Sequence, residues 1–150
     1  MQGPFIYQLI VNDGQITKDR NFEAPTTMAG QKIYVISQNR SILYVGITKQ
    51  SIANRFRAGQ NAHTNPINGY YGYRWLNENR NLTLSIYVAD QNEISNDDQF
   101  VETVEAEIAY LIRNIDGQWP EDQTEIHFHQ SSEIHRCASL KIVNDIKNRM

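Results

Sequence analysis

Tyr34 and Tyr44 stand ten residues apart in the stretch KIYVISQNRSILYVGITKQSIANRFRAG, with Gly46 just behind the second and Arg55 eleven residues beyond it. A phenol can position a water molecule or, where its pKa falls, accept a proton from it. A guanidinium is a planar, permanently charged fork suited to phosphate oxygens. A glycine leaves room for a backbone or a phosphate where a side chain would block it. Phosphodiester hydrolysis calls for such a set: a water in line, charge stabilisation on the phosphoryl oxygens and help for the leaving oxygen. Singly, each tyrosine reads as half of an ordinary hairpin face. Together the four residues point to a site.

The elements that must position them follow from periodicity and turn chemistry. KIYVIS and ILYVGI are β-branched and aromatic runs separated by QNRS, the spacing of an antiparallel hairpin, and alternation lets both phenols point to one face. SIANRFRAG predicts a short helix with Ser51 as N-cap and Gly59 as its C-terminal stop. FIYQLIV (5–11) predicts a strand ending in the turn signal Asn12-Asp13-Gly14, residues 15–31 a loop, and LTLSIYVAD (82–90) a third core strand. The strongest helix signal spans 98–116, where apolar residues recur at 101, 104, 108, 111, 112 and 115 before Gly117. TEIHFH (124–129) reads as a further short strand and SLKIVNDIKNRM as a C-terminal helix. The expected fold is α+β: a small antiparallel sheet, hairpin plus third strand, flanked by helices.

At 150 residues one domain is expected. No apolar run approaches the roughly 18 residues of a membrane span, and the start lacks the charged region and cleavage site of a signal peptide. The single Cys137 fits a reducing cytoplasm and reads as a small buried apolar residue. The net charge of −3 argues weakly against a general nucleic-acid binder, but it conceals a split. Between 32 and 80, seven cations face only Glu78; between 89 and 126, eleven acids face only Arg113. Such halves suit a polyanion on one side and a divalent cation on the other, or two solvated faces that partly neutralise one another.

The ordered set of KIY, YVG, Thr48, SIANR with Arg55, and a later helical glutamate resembles the signature of the GIY-YIG nuclease superfamily over roughly residues 32–123. The resemblance implies a GIY-YIG-like nuclease core at 32–123, with 1–31 as an N-terminal strand and loop extension and 124–150 as a C-terminal strand and helix. It implies a metal-dependent endonuclease acting on DNA, with Tyr34 as general base or water-positioner, Tyr44 orienting nucleophile or phosphate, and Arg55 clamping the phosphate. The alternative is a catalytically inactive module of the same fold that binds nucleic acid or protein. Lys32 replaces the first motif's glycine, and Gly59 stands where a histidine or tyrosine often follows the arginine.

The metal-binding acid is expected on the 98–116 helix. At about 100° per residue, Glu105 and Glu107 fall on opposite edges of the apolar stripe, while Glu102 points further toward solvent. The family places its glutamate three residues before a Leu-Ile pair, and Glu107 stands four before Leu111-Ile112. Glu107 is the preferred reading and Glu105 the alternative, holding Mg²⁺ or Mn²⁺. Pro120 is followed three positions on by Gln123, where the family carries an asparagine, so Gln123 would hold the active-site loop or a water, or be an ordinary loop residue.

Further candidate substrate contacts are Lys49, Arg57, His63 and Arg74, the last inside GYYGYRW (69–75), where bases could stack or aromatics simply pack. Glu125, His127 and His129 would share one strand face, a pattern open to Zn²⁺ but more ordinarily structural. Specificity would come from 1–31, the 60–80 segment, the C-terminal helix or a homo-oligomeric partner.

Overall fold

A computed structural model describes residues 1–67 and 72–149. The fold is α+β, and its sheet is larger than the sequence predicts. Strands β1 (Gln2–Asn12), β2 (Gln15–Lys18), β3 (Lys32–Gln38), β4 (Ser41–Thr48) and β5 (Arg80–Val88) form one antiparallel sheet in the order β2-β1-β5-β3-β4. The predicted turn at Asp13-Gly14 closes a two-residue hairpin, both residues with positive φ, and pairs Asn12 with Gln15 through to Leu9 with Lys18. Residues 15–18, expected as loop, are therefore an edge strand.

Among the described residues four α-helices complete the fold: α1 (Ile52–Thr64), the short α2 (Gln91–Ile94), α3 (Phe100–Asp116) and α4 (Glu133–Lys147). Ser51 caps α1 by accepting from the Asn54 N–H. Gly59 does not end α1. It sits mid-helix, where an added Cβ would lie 2.1 Å from the Tyr73 ring, so it marks a close approach. α4 starts six residues earlier than SLKIVN, just after a capping box formed by Ser132 and His135.

Alternation along β3 sorts the interior into two layers. Tyr34 and Ile36 face a core with Tyr7, Leu84, Ile52, Phe56 and Trp75, covered by α1 and a 3₁₀ turn at Arg74–Leu76. Ile33 and Val35 face the opposite core, covered by α3 and α4 through Val104, Ile108, Ile142 and Ile146. β3 lies inside the sheet with both faces covered, which is why its sequence is almost continuously apolar. Cys137, expected to be buried, is exposed, because α4 turns Ser139, Ile142, Val143 and Ile146 to the core instead.

No strand forms at 124–129. The chain meets the outer edge of β4 at Asp122, whose N–H donates to the Leu43 carbonyl, and at Gln123, whose side chain occupies the Val45 peptide groups. The Arg80–Asp122 ion pair, at 2.7 Å and mostly buried, ties this crossing to β5. Among the described residues no helix is long and apolar enough to cross a membrane.

Candidate active site

Among the described residues three phenols, not two, gather on the α1 side of the hairpin. The Tyr34 ring lies 5.9 Å from Tyr44 and 6.3 Å from Tyr73, and Tyr44 lies 5.5 Å from Tyr73. The Tyr34 and Tyr73 hydroxyls share a 2.9 Å hydrogen bond. Tyr73 stacks on Trp75 with centroids 4.8 Å apart, and the Arg55 guanidinium sits 4.8 Å from the centre of the Tyr73 ring. Tyr73 was hidden in the aromatic-rich GYYGYRW. Residues 69–71 of that motif lie outside the described residues, while Tyr73 and Trp75 belong to the core and Arg74 is exposed. The part of the motif that is described is thus packing rather than a stacking surface.

Gly46 has a different use from the one its sequence context predicts. It pairs with Tyr34 across the hairpin, and a Cβ there would lie 2.4 Å from Tyr34 Cζ, 2.5 Å from its Oη and 2.8 Å from Tyr44 Cε1. The space it leaves is filled by the protein's own phenols. Tyr34 is fully buried, and burial raises its pKa well above the ordinary phenol value; the neighbouring Tyr73 adds to this, and Arg55 opposes it. Burial and the raised pKa both weigh against the general-base role expected for Tyr34.

Tyr44 is the phenol that remains partly accessible. Burial raises its pKa, as do the charge and hydrogen bonding of Tyr34; Arg55 pulls it down and Glu105 pushes it up. Tyr44 is therefore within electrostatic reach of a guanidinium from α1 and a carboxylate from α3.

The helical acid whose charge is felt at Tyr44 is Glu105. It is 7 % exposed, and burial first, then Glu102 and Glu125, push its carboxyl up to about 8. Glu107, the preferred sequence candidate, lies two residues on, about 200° round the helix, and is partly exposed on the other edge. Of the two candidates, Glu105 is the enclosed one and Glu107 the partly exposed one.

The remaining candidates divide. Gln123 holds the segment to the hairpin: its Oε1 accepts from the Val45 N–H at 2.9 Å and its Nε2 donates to the Val45 carbonyl at 3.0 Å. Lys49 and Arg57 are exposed, Arg57 bonding Asn54 on its own helix. His63 is drawn away to Asn77 at 2.9 Å and packs on the Gly14 turn. Lys32, in place of the family's glycine, is buried with its Nζ donating to the carbonyls of Gly30 and Gln50, each at 2.8 Å, and so braces the loop before the hairpin. His127 pairs with Glu125 and His129 with Glu102, so the expected shared strand face is absent.

Among the described residues no group of three or more His, Cys, Asp and Glu side chains is arranged to hold a metal ion. A cation beside Glu105 would be held by one or two carboxylates with water completing its shell, the usual manner of Mg²⁺. A buried carboxylate beside two others fits that donor set, since a divalent cation relieves both its desolvation and the repulsion. No family model, curated protein or solved structure matches this chain.

Proposed function

We propose that this chain is a metal-dependent endonuclease of the GIY-YIG type that hydrolyses DNA phosphodiester bonds. The observation that carries the proposal is the partly accessible Tyr44 phenol, 5.5 Å from the Tyr73 ring over which the Arg55 guanidinium sits, whose charge environment includes both Arg55 and Glu105. In this reading Arg55 clamps the phosphate oxygens and Tyr44 orients the attacking water or a phosphoryl oxygen through its hydroxyl. Glu105 would hold Mg²⁺ or Mn²⁺, and the cation, when bound, supplies electrophilic stabilisation of the phosphoryl charge. Tyr34 and Tyr73 fix the orientation of Tyr44 and exclude water behind it. Gln123 keeps the acid-bearing side of the cleft on β4.

The sealed, protonated Tyr34 favours a second reading, a module of the same fold that binds nucleic acid without cutting it. Nicking of supercoiled plasmid with Mg²⁺ or Mn²⁺ separates the two. The nuclease reading expects cutting by wild type and Glu107→Gln, and at least hundredfold slower cutting by Arg55→Ala and Glu105→Gln, the scale of losing one charge-stabilising group. Cutting that survives both losses sinks the site assignment. DNA binding without cutting in either metal establishes the second reading.

A further inference from the structure

A polar recess opens on the opposite face of the sheet, where α4 runs out. Its volume is about 590 Å³, and Gln8, Asn39, Arg40, Asn81, Thr83 and Arg149 line it together with Leu82. The floor comes from strand pairing. Gln8 and Thr83 are partners across β1 and β5, and Thr83 Oγ1 donates to Gln8 Oε1 at 3.0 Å. Ser37, the partner of Thr83 on β3, is buried with no hydrogen-bond partner for its hydroxyl. The apolar core under α4 thus gives way to a row of hydroxyls and amides.

Both arginines are fastened at the rim. Arg149 Nη1 donates to Ser85 Oγ at 3.0 Å, and Arg40 Nε donates to the Arg149 carbonyl at 3.3 Å. Each keeps further N–H donors, and among the described residues neither forms a salt bridge with a carboxylate, whereas Arg20, Arg80, Lys141 and Lys147 all do. Among the described residues the recess lining contains no acidic side chain, in a chain with 17 acidic and 14 basic residues. Two tethered guanidinium forks over neutral donors form a place for a tetrahedral oxyanion.

We propose that this recess is a phosphate-binding site, separate from the phenol cluster and independent of the nuclease reading. Phosphate oxygens are taken by the free N–H groups of Arg40 and Arg149, with Thr83, Asn39 and Asn81 available to the remainder. The phosphate is either free or part of a nucleic-acid backbone.

The test follows backbone amide NMR shifts of the full chain on titration with inorganic phosphate and, separately, with a short DNA duplex. Phosphate is expected to move Asn39, Arg40 and Thr83, with affinity falling roughly tenfold for each of Arg40→Ala and Arg149→Ala, the scale of one charge-assisted hydrogen bond. Arg40→Lys with Arg149→Lys keeps the charge and loses the forks, and should bind more weakly than wild type. If the source is a nucleic-acid backbone, the duplex moves the same amides and each alanine lowers its salt slope by about one. A response to phosphate without that change assigns the site to free phosphate. No response at these amides to either probe overturns the proposal, as does an unchanged response in the double alanine variant. Repeating the titration on Glu105→Gln keeps the inferences apart, because the recess should respond there whether or not that variant cuts DNA.

Discussion

Replacing Glu105 with glutamine tests the acid at the centre of the site through stability as well as activity. The carboxyl is 7 % exposed, and burial with its two acidic neighbours moves its pKa from an ordinary 4.5 to about 8. Between those values the folded chain binds a proton that the unfolded chain releases, so stability falls as pH rises through this window and levels off above about 8. At about 1.4 kcal/mol per pH unit the ceiling is about 5 kcal/mol, and structural relaxation around the ion brings the expected figure to about 2–3 kcal/mol. Glu105→Gln keeps the shape and removes the ionisation. Urea unfolding at a series of pH values should show the two proteins nearly equal near pH 4.5 and the variant more stable by that amount at pH 9. Mg²⁺ or Mn²⁺ at pH 9 should then stabilise wild type and leave the variant unchanged, because a ligand of the folded state adds its binding free energy. A stability difference that stays flat with pH would refute the burial argument; a cation effect equal in both proteins would refute the metal assignment.

Gly46→Ala places a methyl group 2.4–2.5 Å from the Tyr34 phenol, which has no room to retreat, and should cost about 1–3 kcal/mol by chemical denaturation with an altered near-UV tyrosine signal. The Tyr34–Tyr73 hydrogen bond should appear as a coupling of about 1 kcal/mol in a double-mutant cycle of Tyr34→Phe and Tyr73→Phe, and simple additivity would show that the hydroxyls do not support one another. Gln123→Ala removes both bonds to Val45 and should cost about 1–2 kcal/mol, with faster amide exchange at Val45; unchanged exchange would mean that the edge of β4 is held by something else.

What was legible in the sequence was what local periodicity and turn chemistry determine. The β3–β4 hairpin, the Ser51 cap and the long apolar stripe of α3 are each written within a dozen residues or so. The Asn12-Asp13-Gly14 turn was visible, but its second strand, the four residues QITK, is too short and polar to announce itself before its partner is known. TEIHFH alternates like a strand and is not one, since pairing needs a free edge and side-chain and loop contacts already occupy β4 there. Gly59 and Gly46 both looked like backbone devices. Each instead makes room for aromatic rings, Gly46 for its cross-strand partner Tyr34 and Gly59 for Tyr73 from beyond its helix, and the spacing alone does not show which ring will fill the gap.

The choice between Glu105 and Glu107 exposes the same limit at the site. Helical geometry puts both at the edges of the stripe, and only burial in the folded chain tells them apart, Glu105 being enclosed and Glu107 partly exposed. α1 covers one face and α3 the other, so the helices that carry Arg55 and Glu105 lie on opposite faces of the sheet. A residue on an interior strand such as β3 cannot meet both, because its side chain is enclosed in one layer; Tyr34 is in that position. β4 is an edge strand, and Tyr44 on it stays partly accessible while packing against the α1-side core. In the proposed reading the hub is therefore Tyr44, with the enclosed Tyr34 as its support.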